Sequence, residues 1–256
     1  VEHAQTLLNG PIVVWLAEVS AARESLPILA RQLASQEQAR VARLRMEDDR
    51  SRFTLGRALI RECLRSYVPQ LDEEIPFAYT PRGRPYLAEN EAIHFSISHT
   101  HDLVAVAVTA GGQVGIDLEF LRRDLNPIEL ARRIFSEKDF HAFEMVPEKE
   151  KLRIFFRAWT RKEAYLKARG EGISAGLEQV TVSFSAEQPS LMEDARDPSA
   201  TEAWRVYSLP LPQDYSGSLA CDNAEKKIEF QRVHFNGGRA TPDSAGQTLS
   251  GLLPKI

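Results

Sequence analysis

From Glu148 to Arg169 the chain contains neither glycine nor proline, and Gly170 and Gly172 follow at once. That pattern predicts one long helix with a glycine stop. Within it, Trp159-Thr160-Arg161-Lys162-Glu163-Ala164-Tyr165-Leu166-Lys167 places Trp159, Glu163 and Lys167 four residues apart. Residues at that spacing stack on one helix face. About forty residues earlier, Gly115-Ile116-Asp117-Leu118-Glu119 reads as a strand, and strand alternation sends Asp117 and Glu119 to the same side. Three carboxylates from two elements, with a lysine one turn beyond the third, suit a hard divalent cation beside a phosphate.

The rest of the chain reads as alternating helix and short strand. Ile12–Val19 is an apolar, partly β-branched run and predicts a first strand. Pro27–Gln38 is compatible with helix. Asp48 or Asp49 is placed to cap a helix that runs to about Tyr67, with Pro69 stopping it. Strands are expected at Phe77–Tyr79, Ile93–Ile97, Leu103–Thr109 and Val114–Phe120, in the manner of an antiparallel meander. Pro81–Pro85 would be a turn. In the second half, Pro127–Phe135 and Ser136–Phe143 are helical candidates, the latter with Ser136 as N-cap. Strands are expected at Gln179–Ser185, Trp204–Leu209, Ser218–Cys221 and Lys227–Val233. Ala186–Glu202 is polar and reads as a loop, and the Gly/Ser/Thr/Pro-rich stretch from Asn236 reads as a tail. Gly111-Gly112-Gln113 is a hinge candidate. The expected organisation is therefore an N-terminal half (residues 1–112), a C-terminal half (113–235) and a tail (236–256).

Bulk properties narrow the function. With 43% hydrophobic and 27% charged residues the composition is that of an ordinary globular protein. The formal net charge of −4 argues against nucleic-acid binding driven by bulk charge. Arginine is nonetheless concentrated from Arg31 to Arg65, and the first lysine of the chain is Lys138. Such a segment suits bidentate contacts to phosphate, or else a solvated helix face laced with ion pairs. Two cysteines, Cys63 and Cys221, read as buried thiols in a reducing, cytoplasmic setting. No apolar run approaches the length of a membrane span, and the first residues lack the basic stretch of a secretory leader.

Phe95-Ser96-Ile97-Ser98-His99-Thr100, Gly115–Glu119 and Trp159–Lys167, in that order and spacing, resemble the 4′-phosphopantetheinyl transferase superfamily. The length is similar to that of its monomeric, surfactin-synthetase-activating (Sfp) type. The resemblance implies an α+β fold of two similar halves related by a pseudo-two-fold axis, each a small antiparallel sheet packed with helices, with the active site between them. It also implies transfer of 4′-phosphopantetheine from coenzyme A, the second substrate, to a serine of an apo acyl or peptidyl carrier protein. The reaction would depend on Mg²⁺, or Mn²⁺ in its place, and would release 3′,5′-adenosine bisphosphate. Such carriers serve fatty-acid, polyketide and nonribosomal peptide synthesis.

Carried over residue by residue, the resemblance makes Asp117, Glu119 and Glu163 the metal carboxylates. Glu163 is equally a general base for the serine proton, and the sequence leaves both roles open. Lys167 matches a lysine on the coenzyme A phosphates. Lys162 is open between a structural ion pair and a phosphate contact, since it faces about 100° away from Glu163. Trp159 reads as a packing anchor. Ser98 and His99 correspond to phosphate-binding residues, with His99 among the catalytic candidates. Arg52 resembles a helix arginine near the 3′-phosphate, and Arg84 replaces a lysine in a loop over the adenine. Arg40 and Arg43 fall near two further family lysines. Phe135, Phe140 and Phe143 fall in the region that faces the carrier in the family. Two other readings use the same residues: a metal-dependent phosphohydrolase that activates water, and a coenzyme A- or carrier-binding module without catalysis.

Overall fold

The computed structural model describes residues 10–68, 75, 77–80, 85–88, 90–171, 176–188, 190–223, 225–243 and 247–248. The chain divides into two compact units, one running to Gly111 and resuming at Lys226, the other spanning Gly112–Glu225.

The first unit is a mixed sheet covered by helices. Its strands β1 (Ile12–Glu18), β4 (Ile93–Thr100), β5 (Leu103–Ala110), β11 (Ile228–Asn236) and β12 (Arg239–Pro242) lie in the order β12-β11-β1-β5-β4, and β13 (Gln247–Thr248) also pairs with β11. Strand β5 is buried along its whole length, as its unbroken apolar run requires of a central strand. β4 and β5 form the expected antiparallel hairpin, turning at His101 with φ 47°. A short hairpin pairs β2 (Phe77–Tyr79) with β3 (Pro85–Leu87). Helices α1 (Leu26–Arg31), α2 (Ser35–Arg43) and α3 (Glu47–Tyr67) accompany the sheet. α3 buries Leu55, Leu59, Ile60, Cys63 and Leu64 in a core shared with Val104, Val106 and Val108 of β5. Asp48 and Asp49 do not cap α3: Met46 holds that position without a side-chain bond, and the acids lie in the first turn, where the helix dipole favours them. Glu37 on α2 is buried against Arg61 (2.7 Å) and Arg57 (3.4 Å), a charge cluster that fixes α2 to α3.

The second unit has the three-stranded antiparallel sheet β6-β10-β9, with β6 at Val114–Phe120, β9 at Arg205–Ser208 and β10 at Tyr215–Cys221. α4 (Pro127–Ile134) is capped by Asn126 and α5 (Glu137–Glu144) by Ser136, the latter as the sequence predicts. The long helix α6 covers Glu148–Ala168. A short hairpin joins β7 (Val180–Val182) and β8 (Leu191–Asp194), and α7 spans Ala200–Ala203.

The architecture is α+β, as expected, with four differences in detail. β6 does not continue the meander: it leaves β5 to pair with β10, and β5 pairs instead with β1. The first sheet is not purely antiparallel, because β1 and β11 run parallel, a pairing open to strands joined by a long crossover. Residues from Ile228 belong to the first unit's sheet rather than to the C-terminal half, and the supposed tail opens with β12, bonded to β11. The supposed loop Ala186–Glu202 contains β8 and most of α7.

α6 packs on β6 at backbone distance. A Cβ added to Gly115 would stand 2.0 Å from the carbonyl oxygen of Ala164 and 2.4 Å from the nitrogen of Ala168. Both obstacles are main chain and cannot rotate aside. Gly115→Ala is therefore expected to lower unfolding free energy by about 2–3 kcal/mol or more, the upper range of overpacking. Denaturant midpoints of the two proteins check this, and equal midpoints would mean that the helix can lift off the strand freely.

Candidate active site

The closeness of α6 to β6 brings Lys167 and Glu163 of one motif up to Asp117 of the other. Asp117 lies at the middle of β6 and is 4% exposed, so it is a buried acid rather than one on an open strand face. Lys167 reaches it from α6, its Nζ donating to Asp117 Oδ1 at 2.5 Å and to the Ile116 carbonyl at 3.3 Å. Glu163, one turn earlier on α6, is 2% exposed. Burial, then the negative charge of Asp117, pushes its carboxyl up to about 7. Glu119 is pushed up to about 7 by the same two causes in the same order, while Arg122, Lys167 and a side-chain hydrogen bond with Trp159 pull the other way. Trp159 thus does more than anchor: it packs its ring 6.1 Å from Phe155 and also bonds one of the acids.

The donor set fits a hard cation in chemistry. It offers carboxylate oxygens that raise one another's proton affinity, and Glu163 Oε1 is buried with no hydrogen-bond partner among the described residues. The acids are not closed around one point, however. Among the described residues, no group of three His, Cys, Asp or Glu side chains is arranged to hold a metal ion. The ammonium of Lys167 instead supplies the positive charge beside Asp117.

A polar layer that the sequence reading missed completes this side of the unit. Ser218 and Ser216 on β10 stand directly opposite Asp117 and Glu119 on β6. Thr160 of α6 bonds both serines, at 3.0 Å and 3.2 Å. The signal was present as serines two apart on a strand and a threonine three residues before Glu163.

Lys162 belongs elsewhere. It is fully buried, donates to Asp139 Oδ2 (2.9 Å) and to the carbonyls of Leu177 (3.1 Å) and Ile134 (3.3 Å), and lies 4.9 Å from the Phe135 ring centre. The structural ion pair is the correct reading and the phosphate contact is not, because no part of the ammonium faces outward. Phe135 and Phe143 are also core, packed edge to face at 5.4 Å, whereas Phe140 is half-buried under the Arg132 guanidinium.

The remaining candidates lie in the first unit. Arg52 on α3 donates to the carbonyl of His101 at the β4–β5 turn (3.0 Å) and to Asp49 (2.7 Å). It is thereby held beside the end of β4 that carries Ser98 and His99. Those two alternate across the strand: Ser98 is 7% exposed, while His99 is exposed and is the one that presents its side chain outward. Arg84 lies outside the described residues.

The site is thus a buried and a half-buried carboxylate on one strand of an α+β unit, met by a glutamate and a lysine from one helix, the residue types of an enzyme site. Comparison gives the family. Residues 113–220 match the 4′-phosphopantetheinyl transferase superfamily, and residues 18–111 match the N-terminal region of 4′-phosphopantetheinyl transferases. The chain is 35% identical to the 4′-phosphopantetheinyl transferase HetI of Nostoc sp. over 82% of this chain and 86% of that protein. It is 32% identical to the 4′-phosphopantetheinyl transferase psf-1 of Bacillus pumilus, over 81% and 92%. A putative 4′-phosphopantetheinyl transferase of Synechocystis sp., slr0495, is 30% identical over 84% and 89%. The chain belongs to the 4′-phosphopantetheinyl transferase superfamily and is an enzyme of that kind. No helix among its described residues is long and apolar enough to cross a membrane.

Because Lys162 neutralises a buried acid, Lys162→Ala is expected to cost about 3–5 kcal/mol, the usual result of stranding one partner of a buried pair. Thermal or denaturant unfolding reads this directly. A variant of native stability with a raised KM for coenzyme A would return Lys162 to the phosphate site.

Proposed function

We propose that the enzyme transfers 4′-phosphopantetheine from coenzyme A to a serine hydroxyl of an apo acyl or peptidyl carrier protein and releases 3′,5′-adenosine bisphosphate. The observation that carries this reading is the pairing of Lys167 with Asp117, whose charge both Glu163 and Glu119 feel, in a chain of this family. Asp117, Glu119 and Glu163 would hold Mg²⁺, or Mn²⁺ in its place. When bound, the cation would neutralise charge on the pyrophosphate oxygens.

The chain's own residues account for the rest. Glu163 serves either as a ligand of that cation or as the acceptor of the serine proton; free of the cation, its carboxyl is pushed up to about 7 by burial and Asp117, which suits a base near neutral pH. The serine oxygen would attack the phosphorus that bears the pantetheine. The bond from that phosphorus to the bridging oxygen would break, and the adenosine bisphosphate would depart with the electron pair. Lys167 would offset negative charge on the pyrophosphate. The family resemblance assigns phosphate contacts of coenzyme A to His99 and Arg52 and an adenine contact to Arg84, and these roles are part of the proposal. For the carrier, exposed Arg122, Arg132 and Arg133 and the half-buried Phe140 offer cationic and apolar contacts to an acidic partner. Buried thiols at Cys63 and Cys221 suit a reducing, cytoplasmic location, and the resemblance to the monomeric type suits action as a monomer.

Consumption of coenzyme A, measured with and without an apo carrier protein, tests the reading. Turnover is expected only with the carrier, which should gain the mass of phosphopantetheine. Glu163→Gln should lower kcat by about 100-fold or more, the usual weight of a general base. Turnover without carrier would identify a phosphohydrolase, and binding without turnover a non-catalytic module.

The same assay addresses the 3′-phosphate. If Arg52 and His99 read it, 3′-dephospho-coenzyme A should bind at least about tenfold more weakly, since a charge-assisted hydrogen bond contributes about 1.5–3 kcal/mol. Equal affinities by calorimetry would remove both residues from that role.

A further inference from the structure

Thr160 has no part in the reaction just described, yet it is completely buried in the layer between α6 and the sheet. Its hydroxyl lies 3.2 Å from the Arg157 carbonyl oxygen, 3.2 Å from Ser216 Oγ and 3.0 Å from Ser218 Oγ. Ser216 and Ser218 are the register partners of Glu119 and Asp117. Side chains directly opposite on an antiparallel pair share a face, so both serines stand on the acid-bearing face. On α6, Glu163 is within about 60° and Lys167 within about 20° of Thr160 around the helix axis. The helix thus meets the sheet here through three hydroxyls, each able to donate once and accept twice.

This contact differs in kind from apolar packing. Apolar surfaces tolerate small slides and rotations, because burial is non-directional. Hydrogen bonds in a buried layer hold one distance and one direction. The glycine at position 115 fixes how near α6 comes to β6, and the buried bonds of Lys162 and Arg161 tie the helix to its other neighbours. The hydroxyl layer adds directed bonds to the strand opposite the acids, at their own level.

We propose that Thr160 is a positioning residue. Its bonds to Ser216 and Ser218 lock the rotation and height of α6, and so hold Glu163 and Lys167 in place against Asp117 and Glu119. The inference rests on the reading of those acids as the transferase site.

Thr160→Val keeps the shape and removes the hydroxyl, while Thr160→Ser keeps the hydroxyl. For Thr160→Val, kcat with coenzyme A and an apo carrier should fall at least about tenfold, because misplacement by about 1 Å costs up to about 100-fold. KM for coenzyme A should stay within about twofold, the signature of an interaction felt in the transition state. Thr160→Ser should restore kcat. The additional rise in Tm that Mg²⁺ gives the coenzyme A-saturated protein should shrink in Thr160→Val and return in Thr160→Ser. Wild-type kcat or an unchanged Mg²⁺ shift in Thr160→Val, or equal losses in both variants, would overturn the proposal. If Thr160→Val does not fold, the Ser216→Ala/Ser218→Ala double variant removes the same bonds from the sheet side and is judged by the same criteria. Glu163→Gln, run in parallel, separates the two levels: if it turns over normally the site reading fails, and if it is inactive beside a fully active Thr160→Val only the positioning role fails.

Discussion

The contact between the main chains of α6 and β6 governs the second unit. Ala164 and Ala168 lie over Gly115, and no side chain separates the two backbones. Close approach through small residues brings the longer neighbours into reach of one another. Lys167 can therefore span to Asp117 and to the Ile116 carbonyl together, and Glu163 can sit deep enough to feel Asp117. A larger residue at any of these positions would pull the helix outward and separate charges that interact only at short range in a poorly solvated layer. The motif's glycine and its acids thus form one device: the glycine sets the depth at which the acids operate.

The two lysines of α6 show how one helix serves structure and chemistry at once. Lys162 and Lys167 differ in burial, and the difference decides what each does. Lys162 has its whole donor capacity absorbed by Asp139 and by two carbonyls, and Phe135 closes the space above it. Its charge is internal to the fold and ties α6 to α5. Lys167 keeps part of its surface open while paired with an acid of the site. At the C-terminal end of the same helix, Arg169 pairs with Glu171 and Asp197, and Tyr165 donates to Asp194, which Arg196 also grips. The helix is therefore clamped by charge beyond Lys167 as well as before Glu163, with the site residues held between the two clamps.

Much of this could be read from the chain because the signals are local. The absence of Gly and Pro from Glu148 to Arg169 gave the helix, alternation in Gly115–Glu119 gave the shared side of the two acids, and Ser136 announced its own cap. What escaped the sequence was non-local. Nothing within Ile228–Asn236 says that it will lie parallel to Ile12–Glu18 across the length of the chain, since parallel pairing leaves no turn to recognise. β8 hides in a polar stretch because one short edge strand carries too few apolar residues to show a period. Phe135 could be placed near the site strand but not inside or outside, because burial depends on Phe143, Phe155 and Phe184 converging on it. The serines of β10 had no visible meaning until their register against Asp117 and Glu119 was known.

The arginine-rich stretch from Arg31 to Arg65 makes the same point for charge. Composition offers it as one basic surface, but pairing divides it. Arg57 and Arg61 are buried with Glu37 and stacked against Phe77, so their charge is spent within the fold. Arg50 holds the carbonyls of Leu44 and Arg45, Arg65 pairs with Glu62, and Arg52 with Asp49. Among the described residues, Arg31, Arg40, Arg43 and Arg45 have no acidic partner, and Arg40 rests on the Phe53 ring at 5.1 Å. The field reaching an anion comes mainly from these exposed groups, and Arg52, shared between Asp49 and the His101 carbonyl, adds a part of its charge. Two chains of equal arginine content would differ in phosphate affinity according to how many arginines their own acids had already claimed. The buried Glu37 thus shapes the outer surface too: by holding two guanidinia inward, it leaves the exposed arginines to the end of α1, to α2 and to the turn that follows it.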